Sequence, residues 1–307
     1  MSTFKGAGVA VVTPFKEDGA VNFDAYENLI DFLITNGADA IISCGSTGEA
    51  ATLTDEEQLD VIRCAVSAAS KRVPVIAGTG SNYTDHGVHL CRGAQERGAD
   101  ALLVVTPYYN KTSPAGLVRH FTVMAAAADL PVILYNVPSR TGLNMQAQTV
   151  YQLSKIPNIV GIKESSGNIA QVAEIAELCG PGGFEIYSGD DNNIIPVLSL
   201  GGLGVISVLA NIAPRQVHDL VTKYLEGDRS GALDLQLRAL PLVRALFAEV
   251  NPMPVKAALN LMGLNAGHYR LPLVEVTPAT LDRLKAEMTA YGLLPDEQNI
   301  VRGVTES

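Results

Sequence analysis

The chain has 307 residues, of which 47% are hydrophobic and 18% charged, so it can build a large core and is too apolar for a disordered protein. Its 22 basic and 32 acidic residues give a formal net charge of −10, which argues against nucleic acid or an anionic membrane surface as a partner. A small anionic substrate stays compatible with this charge, because a local cationic pocket can form inside an acidic protein.

Short runs rich in Val, Ile and Leu alternate along the chain with longer amphipathic stretches. We predict eight strands, at residues 8–15, 38–45, 73–80, 99–107, 131–138, 159–165, 184–191 and 204–211. These runs lack a regular polar–apolar alternation, which is typical of parallel strands that are covered on both faces.

Helices are predicted between the strands. Residues 23–36 carry apolar side chains at helical spacing, and residues 54–71 begin with a capping box at Thr54. Pro114 stands at the first position of a further predicted helix. Several helices are expected to end at a glycine just before the next strand, as at Gly37 and Gly98.

Eight strand–helix units predict a (β/α)₈ TIM barrel. The main alternative, a doubly wound open sheet, usually has a glycine-rich phosphate loop after its first strand, and this chain has Thr13-Pro14-Phe15 there. We assign the barrel to residues 1–226. Residues 227–307 are predicted to form a C-terminal helical domain, with helices at residues 228–249, 254–262 and 278–291.

Four cysteines are present, and they have neither C-x-x-C spacing nor histidines at zinc-ligand spacing. They are expected to be mostly buried thiols in a reducing compartment. The N-terminal residues lack the pattern of a secretory signal, and no segment has about 18 uninterrupted apolar residues. We therefore expect a soluble, cytoplasmic protein.

Lys163 is the most unusual residue at a predicted strand end, because the rest of its strand is apolar. In a TIM barrel the active site lies at the C-terminal ends of the strands, where an enclosed amine would lose hydration and become available as a nucleophile toward a carbonyl. The alternative is an ammonium that reaches solvent or pairs with Asp190 or Glu164. Tyr135 ends the preceding strand and is either a proton relay beside this amine or a residue that caps the core.

Two further motifs offer groups that bind anions. Arg140, in the loop after Tyr135, is a candidate for bidentate binding of a substrate carboxylate, although it could also be a surface arginine paired with an acid. The turn Gly45-Ser46-Thr47-Gly48 presents two hydroxyls and backbone N–H groups that suit a carboxylate or phosphate, although such turns are often only structural.

Taken together, the motifs of this chain resemble the dihydrodipicolinate synthase family of pyruvate-dependent, Schiff-base-forming barrels. The resemblance runs essentially from end to end and is highly specific in combination. The motifs that carry it are GSTGE at 45–49, VIAGTG at 75–80, TPYYN at 106–110, LYNVPSRTG at 134–142, GIKE at 161–164, SGDD at 188–191 and NPMPVK at 251–256.

This resemblance implies a lyase that condenses pyruvate with L-aspartate 4-semialdehyde to give 4-hydroxy-tetrahydrodipicolinate, in the diaminopimelate route of lysine biosynthesis. Lys163 would form the Schiff base with pyruvate. Tyr135, Thr47 and Tyr109 would form a proton relay, and Tyr109 would reach into the site of a neighbouring subunit. No metal or organic cofactor is implied, and the expected assembly is a homotetramer.

The resemblance also implies how the substrates are held. Ser46 and Thr47 would bind the pyruvate carboxylate, and Arg140 would bind the carboxylate of aspartate semialdehyde. Gly189 and the backbone carbonyl of Ile206 would line the pocket near the lysine.

Two departures from the family pattern affect these expectations. The family usually has two threonines where this chain has Ser46-Thr47. The same GSTGE occurs in N-acetylneuraminate lyases and 2-keto-3-deoxy sugar acid aldolases, so an activity of that kind is the alternative function. A non-catalytic sensor is a third hypothesis, but it would be expected to lose a relay residue. Lysine-sensitive members have two histidines and a glutamate where this chain has Asp55, Gln58 and His86, so we predict weak or absent lysine inhibition.

Overall fold

The computed structural model describes residues 2–180 and 182–295, and its centre is a closed barrel of eight parallel strands. The strands follow one another in sequence order, and the last pairs with the first. They are β1 (Gly6–Ala10), β2 (Ala40–Ser43), β3 (Val75–Gly78), β4 (Ala101–Val105), β5 (Val132–Asn136), β6 (Ile159–Glu164), β7 (Glu185–Ser188) and β8 (Gly204–Ser207). The predicted TIM barrel is confirmed.

Helices connect the strands and continue after the last one. Those of the barrel are α1 (Phe23–Thr35), α2 (Asp55–Ala69), α3 (Thr84–Glu96), α4 (Pro114–Ala125), α5 (Pro138–Thr141), α6 (Ala147–Leu153), α7 (Ile169–Cys179), α8 (Ile194–Ser199) and α9 (Pro214–Leu225). Three more follow: α10 (Arg229–Leu246), α11 (Met253–Leu261) and α12 (Pro278–Tyr291).

The start of α2 shows how local sequence fixes an element and ties it to a distant one. Thr54 and Glu57 form the predicted capping box, in which Thr54 Oγ1 accepts from the Glu57 N–H at 3.2 Å and Glu57 Oε2 accepts from the Thr54 N–H at 3.0 Å. Arg270 donates hydrogen bonds to both oxygens of the same carboxylate and lowers the pKa of Glu57 to about 2. The C-terminal segment is thereby joined to the first turn of α2.

The apolar core has two parts, one inside the barrel and one between the strands and the helices. Alternation along β5 divides its residues, so that Ile133 and Tyr135 belong to the inner cluster and Leu134 to the outer one. On β6 the outer cluster contains Ile162, and the next residue, Lys163, lines the cavity at the mouth of the barrel. Side-chain alternation in a strand therefore aims the lysine inward.

The helices after the barrel pack on it through the outer cluster. Residues such as Leu242, Val255 and Leu284 are completely or almost completely buried there. The predicted domain boundary at residue 226 falls in the turn between α9 and α10, and the division into two domains stays a prediction. Residues 296–307 of the predicted helical domain lie outside the described residues.

All four cysteines are free thiols. Cys44, Cys64 and Cys91 are buried free thiols, as predicted, and Cys179 is partly buried. Burial raises the pKa of Cys44 to about 12, which makes that thiol a poor nucleophile.

Within the described part of the chain, no helix has the length and hydropathy that are needed to span a membrane.

Candidate active site

A cavity of about 510 Å³ opens at the C-terminal ends of the strands, and Lys163 lies in its wall. Lys163 on β6 pairs in register with Tyr135 on β5, and its Nζ lies 4.3 Å from the centroid of the tyrosine ring. The predicted lateral contact between the two residues is confirmed. Lys163 is only 6% exposed, so its amine is available to a ligand in the cavity and largely shielded from bulk water.

The acids that the alternative interpretation offered to Lys163 are engaged elsewhere. Glu164 Oε2 accepts a hydrogen bond from Asn136 Nδ2 at 2.9 Å and another from Gln171 Nε2 at 3.3 Å. Asp190 accepts from the backbone N–H of Asn192 at 2.9 Å. These bonds fix the ends of β6 and β7 and leave the lysine beside an aromatic face.

The turn after β2 presents its two hydroxyls in different ways. Ser46 is exposed and borders both this cavity and a second one beside it, whereas Thr47 is 4% exposed and borders the Lys163 cavity. Glycine fits closely at position 48, because a Cβ there would lie 3.1 Å from the Val11 carbonyl oxygen and 3.2 Å from the Cys44 nitrogen, which is tighter than an ordinary contact. The close approach of these backbones keeps the turn against the barrel rim.

Arg140 and Asn251 contact each other in the wall of the Lys163 cavity. Arg140, on α5, is exposed, borders both cavities and donates from Nη2 to the backbone carbonyl of Asn251 at 3.0 Å. Asn251 donates from Nδ2 to Thr47 Oγ1 at 2.9 Å. Sequence reasoning quoted Asn251 as part of a motif but gave it no role, and the structure places it in contact with two predicted site residues.

Gly189 and Ser165 lie beside the lysine on the β7 side. A Cβ at Gly189 would lie 2.9 Å from Lys163 Cε and 1.8 Å from Ser165 Oγ, so a larger residue there would displace both side chains. Ile206 belongs to the apolar cluster inside the barrel, and the residue after β8 that borders the cavity is Val208. Gly189 lines the cavity and Ile206 does not, and the predicted roles of both residues toward the substrate stay predictions.

Tyr109 lies at the edge of this region and projects into solvent. It is 92% exposed and has a backbone φ of 67°, a left-handed conformation that is costly for a bulky residue. The neighbouring Tyr108 borders the second cavity, which has a volume of about 440 Å³ and is also lined by Asp55, Gln58 and His86. There, His86 Nε2 lies 2.8 Å from Asp55 Oδ1.

The groups around the first cavity define its chemistry. An enclosed amine, a phenol and hydroxyls suit covalent capture of a carbonyl with proton transfer, and the guanidinium of Arg140 suits a carboxylate. Among the described residues, no cluster of three or more His, Cys, Asp or Glu side chains has the geometry of a metal site.

Comparisons with known proteins agree with this geometry. The model of the Dihydrodipicolinate synthetase family matches residues 3–291. The 4-hydroxy-tetrahydrodipicolinate synthase of Lachnoclostridium phytofermentans is 58% identical over 295 residues, which are 96% of this chain and 100% of that protein.

Solved structures show the same likeness. The dihydrodipicolinate synthase of Cyanidioschyzon merolae with lysine bound is 42% identical, with a TM-score of 0.93 over 96% of this chain and 100% of that one. The chloride-inhibited enzyme of Acinetobacter baumannii complexed with pyruvate is 40% identical, with a TM-score of 0.92 over 94% of this chain and 99% of that one.

Proposed function

Because the chain belongs to the dihydrodipicolinate synthetase family, we propose that Lys163 is the residue that forms its Schiff base with pyruvate. The enzyme is a lyase that condenses pyruvate with L-aspartate 4-semialdehyde to give 4-hydroxy-tetrahydrodipicolinate in lysine biosynthesis. The observation that supports this role for Lys163 is the contact of its amine with Tyr135 at the wall of the cavity.

The reaction begins with attack of the neutral Lys163 amine on C2 of pyruvate. The carbinolamine that forms loses its oxygen as water, which requires one proton to be delivered and another to be removed. We assign this relay to Tyr135, whose ring centroid lies 4.3 Å from Lys163 Nζ. Loss of a proton from C3 gives an enamine, whose carbon attacks the aldehyde of the second substrate. The amino group of that substrate then attacks C2, closes the ring and returns the amine to Lys163.

A two-substrate assay tests this function. Pyruvate together with aspartate semialdehyde should give the cyclic product, whereas sialic acid should not be cleaved. The sugar-acid alternative is not favoured, because relatives at 50–58% identity are synthases over nearly their whole length. Cleavage of sialic acid without condensation of aspartate semialdehyde would overturn the assignment.

Arg140 is proposed to bind the carboxylate of aspartate semialdehyde. We expect Arg140→Ala to raise the KM for this substrate about ten- to hundredfold, because it removes hydrogen bonds to a charged group. The rate of pyruvate trapping by borohydride should change little. Arg140→Lys keeps the charge but not the bidentate geometry, so its KM for aspartate semialdehyde should lie between those of the wild type and Arg140→Ala. An equal loss in pyruvate trapping would show that Arg140 acts on the first substrate instead.

The role of Thr47 in the proton relay stays a prediction. We propose that the Ser46 hydroxyl also takes part in this relay. Ser46 borders both cavities, while Thr47 Oγ1 already accepts from Asn251. We therefore expect Ser46→Ala to lower turnover at least as much as Thr47→Val, by about a hundredfold, which is the lower end for acid–base groups. A loss confined to Thr47→Val would return the relay to that hydroxyl alone.

Feedback by lysine is expected to be weak or absent. Asp55 and His86 line the second cavity. His86 lies 2.8 Å from one oxygen of Asp55 and His89 lies 3.8 Å from the other, so this carboxylate faces two imidazoles of the chain. Turnover should stay nearly unchanged in millimolar lysine. The variant that combines Asp55→His, Gln58→His and His86→Glu should gain inhibition, because it supplies a carboxylate for the incoming ammonium. Strong inhibition of the wild type would contradict the prediction.

We also infer a homo-oligomer, with a tetramer as the expected assembly, in the cytoplasm. Tyr109 supports the oligomer, because an exposed tyrosine with a left-handed backbone needs contacts that the described residues do not supply. In this proposal the Tyr109 phenol completes the relay in the site of a neighbouring subunit. Size measurement in solution tests the assembly, and Tyr109→Phe tests the phenol through a fall in turnover.

A further inference from the structure

The side-chain oxygen of Asn251 is a buried acceptor without a donor. Asn251 is 5% exposed, and its Oδ1 has no hydrogen-bond partner among residues 2–180 and 182–295. Asn251 is a lining residue of both cavities. Since an unpaired buried polar atom carries a substantial desolvation cost, this oxygen is suited to a donor that arrives with a ligand.

Its neighbours restrict which ligand that is. The backbone carbonyl of Asn251 accepts from Arg140 Nη2 at 3.0 Å, and its Nδ2 donates to Thr47 Oγ1 at 2.9 Å. Asn251 therefore lies between the guanidinium proposed for the carboxylate of the second substrate and the hydroxyl turn proposed for pyruvate. A donor that binds Oδ1 is held close to both.

Aspartate semialdehyde carries its ammonium on the same carbon as its carboxylate. When Arg140 binds the carboxylate, the ammonium must lie nearby and needs an acceptor in place of water. Two acidic residues line the cavity, and both accept hydrogen bonds within the protein, which leaves Glu249 Oε2 as their one oxygen without a donor among the described residues. Asp190 accepts from Asn192 and Asn193, and Glu249 Oε1 accepts from the Thr277 N–H at 2.9 Å and from its hydroxyl at 2.7 Å.

We propose that Asn251 Oδ1 accepts a hydrogen bond from the amino group of aspartate semialdehyde and selects this substrate over aldehyde acids that lack an amino group. This inference rests on the proposed function, since it concerns the second substrate of that reaction. Arg140 and Asn251 together then recognise an α-amino acid. The amino group held in this way is the group that must attack C2 when the ring closes.

Comparison of two aldehydes tests the proposal. Succinate semialdehyde has the carboxylate and the aldehyde but no amino group, and its inhibition constant as a competitor of aspartate semialdehyde reports its binding. Asn251→Ala should raise the KM for aspartate semialdehyde about ten- to hundredfold and leave the inhibition constant of succinate semialdehyde within about twofold. Asn251→Asp restores an acceptor and should restore the preference for the amino acid.

Other outcomes separate the possible errors. Equal losses for the two aldehydes would show that Asn251 acts only by positioning Thr47 and Arg140, and would overturn the inference alone. A selective loss in Glu249→Gln with none in Asn251→Ala would move the amino-group site to Glu249. A wild-type enzyme that traps pyruvate but condenses no aspartate semialdehyde would overturn the proposed function as well.

Discussion

Replacing Lys163 by alanine should abolish condensation and leave no adduct on the protein when pyruvate is reduced in place with borohydride. Without the amine no covalent intermediate forms, and removal of a covalent nucleophile commonly lowers turnover by about ten-thousandfold or more. The fold should survive, because the lysine lies at the wall of a cavity and truncation only enlarges that space. Intact-mass analysis after trapping, alongside turnover, gives the result directly.

Lys155→Ala is the matched control. Lys155 is an exposed lysine whose Nζ lies 4.0 Å from the Tyr151 ring centroid, so it shares the aromatic contact of Lys163 without the enclosure. It should keep both trapping and turnover. Trapping that persists in Lys163→Ala, or an adduct mapped to another lysine, would refute the assignment.

Lys256→Met is expected to cause the largest loss of stability, about 3–5 kcal/mol, because it leaves Glu49 as a buried charge without a partner. Lys256 is 0% exposed, and its Nζ lies 2.7 Å from Glu49 Oε1 and donates to the backbone carbonyls of Thr13 and His268. Burial lowers the pKa of Lys256, and the Glu49 carboxylate opposes that shift. Urea denaturation at one fixed protein concentration measures the effect.

The double variant Lys256→Met with Glu49→Gln distinguishes a broken ion pair from a packing defect. It removes both charges and should recover a large part of the lost free energy. Turnover should also fall in Lys256→Met, because Glu49 directly follows the hydroxyl turn and its carboxylate ties that turn to α11. A single variant as stable as the wild type would mean that the pair contributes nothing to the fold.

Much of the fold follows from local sequence, and the strand ends show where that reasoning stops. Apolar runs located all eight strands, but every predicted strand extends past the C-terminal end of the observed one, and the first begins two residues after Gly6. Val11 and Val12 are completely buried and lie outside β1 (Gly6–Ala10). Buried positions favour apolar residues whether or not they belong to a strand. Hydropathy therefore cannot show where a chain leaves the hydrogen-bonded sheet and becomes an active-site loop.

The contacts of the candidate site, like the fold, were predictable from the sequence only in part. The contact between Lys163 and Tyr135 was predictable, because consecutive parallel strands in a barrel are neighbours and both residues end their strands. The contacts of Asn251 and Lys256 were not, since they join the C-terminal segment to a turn more than 200 positions earlier in the chain. No periodicity or spacing encodes such long-range pairs, and the NPMPVK motif was the only sign of them.

The two cavities share part of one wall, to which Ser46, Tyr135, Arg140 and Asn251 all contribute. These shared lining residues place the two spaces side by side. A fragment bound beside Lys163 can therefore be extended chemically past Ser46 into the neighbouring space. Such a linked inhibitor would gain affinity from contacts in both cavities, while the translational and rotational freedom of only one molecule is lost on binding.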